Sequence, residues 1–297
     1  MRGKLEEPVL EESVLGSPSQ SFSGSGEDHQ QEILPPLLSA DEPLPYEVLN
    51  AGADKKIILV CDHASNHIPR SLNNLGLDEF SLRRHISWDI GAGDVARFLA
   101  SSLGAPSILA TYSRLVVDCN RKLNDATAFR VISDGDDVPG NHSLSARDKR
   151  RRANAIYWPY HQAIADQVEL MCDKGFAPVL ISIHSFTPFF DNSHRPWEIG
   201  ILWDNDPRVA VPLMKNLEER GLVVGDNEPY SGRHPHDFTI DVHGEKRGLP
   251  HASIEIRQDL LRDMVSRRQC AAALADSLQP ILENKDLYRY FKDAAEA

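Results

Sequence analysis

Short, unbroken apolar runs alternate along the chain with longer stretches of helical periodicity. Residues 57–61, 107–110, 115–117, 178–183, 198–203 and 252–257 are Ile-, Val- and Leu-rich runs bounded by polar residues. Runs of that length suit strands covered on both faces. The stretches between them carry helix signals. Asp206 and Pro207 supply an N-cap and a first-turn proline for a helix over 209–220, which Gly221 stops. Ser145 opens a helical region reaching Lys174, broken or kinked at Pro159 and closed by Gly175. A helix over 90–103 ends at Gly104, and 262–282 forms another. Strands alternating with helices predict an α/β sandwich with a largely parallel sheet. In such sheets reactive side chains collect beyond the carboxyl ends of the strands, so the residues after each run deserve inspection.

Composition narrows the function. The 297 residues are 41% hydrophobic, enough for a packed core of one large domain or two small ones. Lys and Arg number 32 against 44 Asp and Glu, a formal charge of −12. That balance argues against a nucleic-acid or membrane-surface partner, since both need surplus cations. Residues 1–44 hold nine acids and two bases among Ser, Gly, Gln and Pro, with Phe22 as their only aromatic. Such a segment buries too little apolar surface to offset its ordering entropy. We therefore expect a disordered acidic tail over 1–44 and a single catalytic domain over 45–297. No stretch has the roughly 18 apolar residues of a membrane span, and the acidic N-terminus lacks the apolar segment of a signal peptide. Cys61, Cys119, Cys172 and Cys270 form no CxxC pair. They read as thiols in a reducing, cytoplasmic setting.

Candidate chemistry sits at the ends of two apolar runs. The first delivers Asp62-His63, and the run at 178–183 delivers His184. Two imidazoles at the ends of two buried strands could converge on one zinc ion, which in catalytic sites takes three protein ligands and keeps one open position; each could equally cap its own strand. Asp89, just before a glycine-bearing helix start, is the candidate third ligand or a helix N-cap. Asn66, His67 and His85 are weaker choices. Glu255 lies inside an otherwise apolar strand, where a carboxylate is costly without a partner. It is a general base beside a metal, or half of a buried ion pair with Arg257 or another arginine. Arg114, Asp118, Asn120 and Arg121 form a donor-rich segment that could grip a substrate carboxylate, or hold an internal Asp118–Arg121 pair. Tyr230 occupies a turn-rich loop that could cover a pocket. His234 and His236 could form an accessory metal site or an exposed loop, and His251 could orient a ligand. Lys149–Arg152 reads as a solvated face. No glycine-rich phosphate loop follows a strand, and no GxSxG elbow is present.

The segments CDHASNHIP, HISWDIGAGD, SRLVVDCNR, ISIHSFTP, NEPYSG and IEIRQDLL, taken together and in this order, resemble the N-formylglutamate amidohydrolase family over 45–290. The resemblance implies a three-layer α/β/α sandwich of the phosphorylase/hydrolase-like, zinc-carboxypeptidase-like type, with a mixed eight-stranded sheet. It implies hydrolysis of an N-formyl or N-acyl amino acid, such as N-formyl-L-glutamate, to formate and the free amino acid with a divalent metal, zinc being the expected ion. His63 and His184 then look like metal ligands and Glu255 like the catalytic carboxylate. Asn120 and Arg121 look like the carboxylate grip, with Arg114, Arg257 and Tyr230 as further substrate contacts. Zinc carboxypeptidases carry a His-x-x-Glu pair whose fourth position here is Asn66, so Asp89 or Asn66 is left as third ligand. The competing readings are a deacylase of another N-acyl amino acid or small amide, and a metal-free carboxylate binder.

Overall fold

Successive side chains of a strand leave on opposite faces, so an all-apolar strand must be covered on both. The computed structural model, which describes residues 36–233 and 237–291, shows how this is met. Its seven-stranded sheet contains β1 (Tyr46–Leu49), β2 (Ile57–Cys61), β3 (Ser107–Ala110), β4 (Val179–Phe186), β5 (Ile199–Leu202), β6 (Val224–Asp226) and β7 (His251–Arg257). The order across the sheet is β1-β3-β2-β4-β7-β5-β6. Strands β3, β2, β4 and β7 run parallel, as do β5 and β6, while β1 pairs antiparallel with β3 and β5 with β7. The α/β class and the mixed, mostly parallel sheet agree with the sequence reading; the sheet has seven strands among the described residues, where the resemblance implied eight.

Helices α1 (Glu79–Arg83), α2 (Ala92–Leu103), α3 (Ala146–Arg152), α4 (Trp158–Cys172), α5 (Pro207–Glu218), α6 (Phe238–His243) and α7 (Met264–Leu282) surround this sheet. Ile57, Leu59 and Cys61 face α2, α5 and α7, whereas Ile58, Val60 and Leu180 face α4 and α6. Alternation along β2 thus divides the core into two layers. No helix among the described residues is long and apolar enough to cross a membrane, and the four cysteines are free.

Several expectations change. Residues 115–117 are buried but form a turn, with Val116 N bonded to Ser113 O and Asp118 N to Ala128 O; apolar burial alone did not require a partner strand. Strands β1 and β6 carried no clear apolar run because they lie at the sheet edges and are half exposed. The region 145–174 divides at a π-helical turn, Ala153–Tyr157, just before Pro159. Leu37 is buried, and the carbonyls of Pro43 and Leu44 accept hydrogen bonds from Tyr112 and Thr111, so residues 37–44 pack on the domain. The remainder of the expected tail, 1–35, lies outside the described residues, as do His234 and His236. Arg152 belongs to no solvated face: it is 3% exposed and bonded to Asn141 Oδ1 and to the carbonyls of Val116 and Gly140.

Two predictions concern this framework. A Cβ on Gly200 would collide with the backbone carbonyl of Glu228. Gly200→Ala should therefore displace the loop carrying Tyr230, lowering both the melting temperature and the affinity for ligands of the adjoining cavity; an unchanged melting curve and unchanged affinity would contradict the packing. The second concerns His161 and His243, which stack with their Nδ1 and Nε2 atoms 3.1 Å apart, while His161 Nε2 donates to Cys119 O. Burial pulls their pKa values from 6.5 to about 4 and about 3. Because the folded form disfavours their protonation, the stability they contribute is complete above pH 6.5 and falls as the pH drops toward 4. Chemical denaturation between pH 7.5 and 4.5 should show a flatter acid loss for His243→Gln than for the wild type.

Candidate metal centre and active site

Three residues from distant parts of the chain meet at one carboxylate oxygen. Asp62 and His63 follow directly on β2 and remain buried. His184 lies within β4, one strand over. Asp89 precedes α2, and its backbone N–H donates to the His63 carbonyl at 3.0 Å, which ties the two loops together. His184 Nδ1 and His63 Nδ1 stand 2.8 Å and 3.3 Å from Asp89 Oδ2. One donor atom from each of the three residues lies within 4.8 Å of the others. His63, Asp89 and His184 are therefore brought together as the sequence suggested. Asn66 is not, because its amide donates to the Leu82 carbonyl at 2.8 Å.

The outer edge of each ring is fixed as well. His63 Nε2 is 2.7 Å from Asp118 Oδ1; His184 Nε2 is 2.9 Å from Ser182 Oγ and 3.1 Å from Asp62 Oδ2. Such carboxylate partners place the ring proton on Nε2 and turn the Nδ1 lone pair inward, as at metal-binding histidines. Arg114 bridges the assembly, donating through Nη1 to Asp89 and through Nε and Nη2 to Asp118. Asp118 thus pairs with Arg114 and His63. Burial would raise the carboxyls of Asp62, Asp89 and Asp118, but hydrogen bonds and charges from the two imidazoles and Arg114 hold all three well below the usual range. Three ionised carboxylates then face one guanidinium, and despite burial they raise both imidazoles above their usual range, so that in the absence of another cation the two rings carry the balancing protons. With both rings neutral, two Nδ1 lone pairs also face an anionic oxygen. Protons on both rings would relieve this, and so would one divalent cation; the donor set of two imidazoles and a carboxylate fits such an ion.

Glu255 stands beside this cluster. It pairs in register with His184 on β4 and with Gly200 on β5, and one of its oxygens is buried without a hydrogen-bond partner. Among the described residues it forms no ion pair, so the alternative of a bridge to Arg257 does not hold. Burial pushes its pKa up to about 7; His184 opposes the rise, and Asp89 and Asp237 add to it.

The cluster opens into a cavity of about 480 Å³ lined by Arg114, Asn120, Arg121, Arg130, Tyr230 and Glu255, among others. That volume suits a small organic ligand. Arg257 is absent from its lining: the guanidinium is spent on Asp259 and the carbonyls of Arg195, Pro196 and Trp197. His251 also turns away, bonding Leu249 O and pairing with Glu245. His85 reaches the cavity wall, 3.3 Å from Asp134, whereas His67 does not line it. At the lip, Arg195 donates to the Tyr230 hydroxyl and lies over the rings of Phe186, Phe190 and Tyr230. Sequence reasoning missed the roles of Asp62, Asp118, Arg130 and Arg195. Asp62 was signalled by its adjacency to His63 and Asp118 by its place in the donor-rich segment with Arg114, but the contacts of Asp118 with His63, and the placement of Arg130 and Arg195, depend on chain segments far apart.

A family model for N-formylglutamate amidohydrolase matches residues 55–262. A gene product of Agrobacterium tumefaciens with a crystal structure is 35% identical, with 83% of this chain and 98% of that one covered and a TM-score of 0.80. The N-formylglutamate amidohydrolase of Ralstonia eutropha JMP134 shares the fold at 18% identity and a TM-score of 0.56, with 81% of this chain and 96% of that one covered. No curated protein matches the chain. Since the family match spans well over half of the sequence, the chain belongs to the N-formylglutamate amidohydrolase family and is a hydrolase of amide bonds.

Proposed function

We propose that this protein is a metal-dependent, cytoplasmic deacylase that removes the formyl or another small acyl group from an N-acyl amino acid, with N-formyl-L-glutamate as the first substrate to test. The observation that carries the reading is the unpartnered Glu255 oxygen beside three converging metal-type donors, at the wall of an arginine-lined cavity. His63, Asp89 and His184 would hold the ion, for which zinc is the natural choice given their chemistry. When bound, a divalent ion supplies Lewis acidity toward the acyl oxygen and toward water.

The remaining work falls to the side chains. Glu255, with a pKa raised to about 7, is matched to accept the proton of the attacking water and return it to the departing amine nitrogen. A C–O bond forms, the C–N bond breaks, and the proton is conserved. Arg114 stays cationic because Asp118 and Asp89 outweigh the effect of its burial. Facing the cavity, it stabilises negative charge developing on the acyl oxygen. Arg121, beside Asn120, grips the substrate's α-carboxylate, and Tyr230 covers the pocket from its lip. The catalytic residues all come from one domain, consistent with a single catalytic unit.

Protein purified without chelator should carry about one divalent ion per chain, the occupancy expected of one such donor set. Elemental analysis should show its loss from His63→Ala and His184→Ala. Asp118→Asn should retain a site but weaken metal affinity by roughly 10–100-fold. Glu255→Gln should keep the metal and lose activity by roughly 10²–10⁴-fold. Wild-type turnover by that variant would remove Glu255 from the mechanism, and a metal-free, inactive wild type would favour a carboxylate-binding protein.

A further inference from the structure

The arginines around the centre differ in how far their donors are used. Arg257 and Arg152 are engaged by carbonyl and side-chain oxygens, and Arg114 is divided between Asp89 and Asp118. Arg130 lines the same cavity, yet its Nε is buried without a hydrogen-bond partner, and no ion pair among the described residues engages its guanidinium. Burial and the neighbouring Arg114 both press on its charge, with Asp118 the first carboxylate to offset them. A cation left this way in a partly dry cavity is costly unless an anion arrives to meet it.

The backbone at Arg130 is also pinned. Asn141 Nδ2 donates to both Arg130 O at 2.7 Å and Leu115 O at 2.8 Å. Asn141 Oδ1 in turn accepts from the buried Arg152 at 2.6 Å, and Arg152 reaches back to Val116 O. This clasp joins the Arg130 segment to the turn that presents Arg114 and Asp118. The backbone that carries the open guanidinium is therefore held at a fixed place relative to the catalytic cluster, which a specificity contact requires.

We propose that Arg130 is a specificity-determining residue: it binds a second anionic group on the substrate, remote from the scissile amide, and so selects N-acyl derivatives of acidic amino acids over neutral ones. The proposal rests on the deacylase reading, in which Arg121 takes the α-carboxylate, and it assigns the side-chain carboxylate to Arg130. Bidentate pairing of a guanidinium with a carboxylate supplies both the affinity and the geometric selection.

The test compares holoenzyme forms of the wild type, Arg130→Gln and Arg130→Lys on N-formyl-L-glutamate and N-formyl-L-glutamine. For Arg130→Gln, kcat/KM should fall roughly 10–100-fold on the acidic substrate, the scale of a charged hydrogen bond. It should change little on the amide, and Arg130→Lys should recover part of the loss. Equal losses on both substrates, or none on the acidic one, would overturn the assignment. A second measurement needs no turnover: calorimetry should show glutarate binding the wild type more tightly than butyrate does, with the gap closing in Arg130→Gln. If the wild type hydrolyses neither amide, the deacylase reading fails, while the glutarate comparison still decides for or against Arg130 as an anion site; an unchanged gap decides against it.

Discussion

The site depends on a single buried oxygen, Asp89 Oδ2, that two imidazoles approach from different strands. An isolated carboxylate in such a place would be expelled or protonated, because burial strips its hydration without replacing it. Here it survives through the His63 and His184 rings, the Arg114 guanidinium and a long contact with Ser185 N–H. Removing one member of a buried charged group typically costs about 3–5 kcal/mol, because its partners are left uncompensated. Asp89 is thus at once a candidate ligand and the knot that joins β2, β4 and the start of α2.

Charge accounting explains the rest of the pocket. Asp62 and Asp118 hold the far edges of the imidazoles, but they also bring the negative excess that makes a cation welcome. Arg114 offsets part of that charge by pairing with both Asp89 and Asp118. Glu255 is buried beside the same negative field and forms no ion pair among the described residues; burial first, and then Asp89 and Asp237, raise its proton affinity toward neutrality. A carboxylate with a cationic partner would lie too low to exchange protons with a departing amine. The arginines divide in a similar way: Arg152 and Arg257, engaged by carbonyls and side-chain oxygens, hold the framework, whereas Arg130, with an unpartnered Nε, lines the ligand space.

The family resemblance and the α/β class were legible in the sequence for physical reasons. A histidine or glutamate inside an apolar strand or directly at its end carries a burial cost that only a partner or a function offsets, so His63, His184 and Glu255 stood out locally. The three central strands announced themselves because coverage on both faces demands unbroken apolar residues. The edge strands Tyr46–Leu49 and Val224–Asp226 face partial coverage and leave no such trace. The apolar run at 115–117 misled because core burial can be satisfied by a turn as well as by a strand.

The arginines show where local reading stops. Arg257, two residues from Glu255 on the same strand, looked like its partner, yet it is engaged by Asp259 and by carbonyls some sixty residues earlier in the chain. Arg152 looked solvated, yet it is buried as the anchor of Asn141. Residue type and periodicity determined which groups had to be buried and therefore which could do chemistry. Which donor meets which acceptor was decided by the tertiary structure, because long polar side chains choose partners by the approach of backbone segments that are remote in sequence.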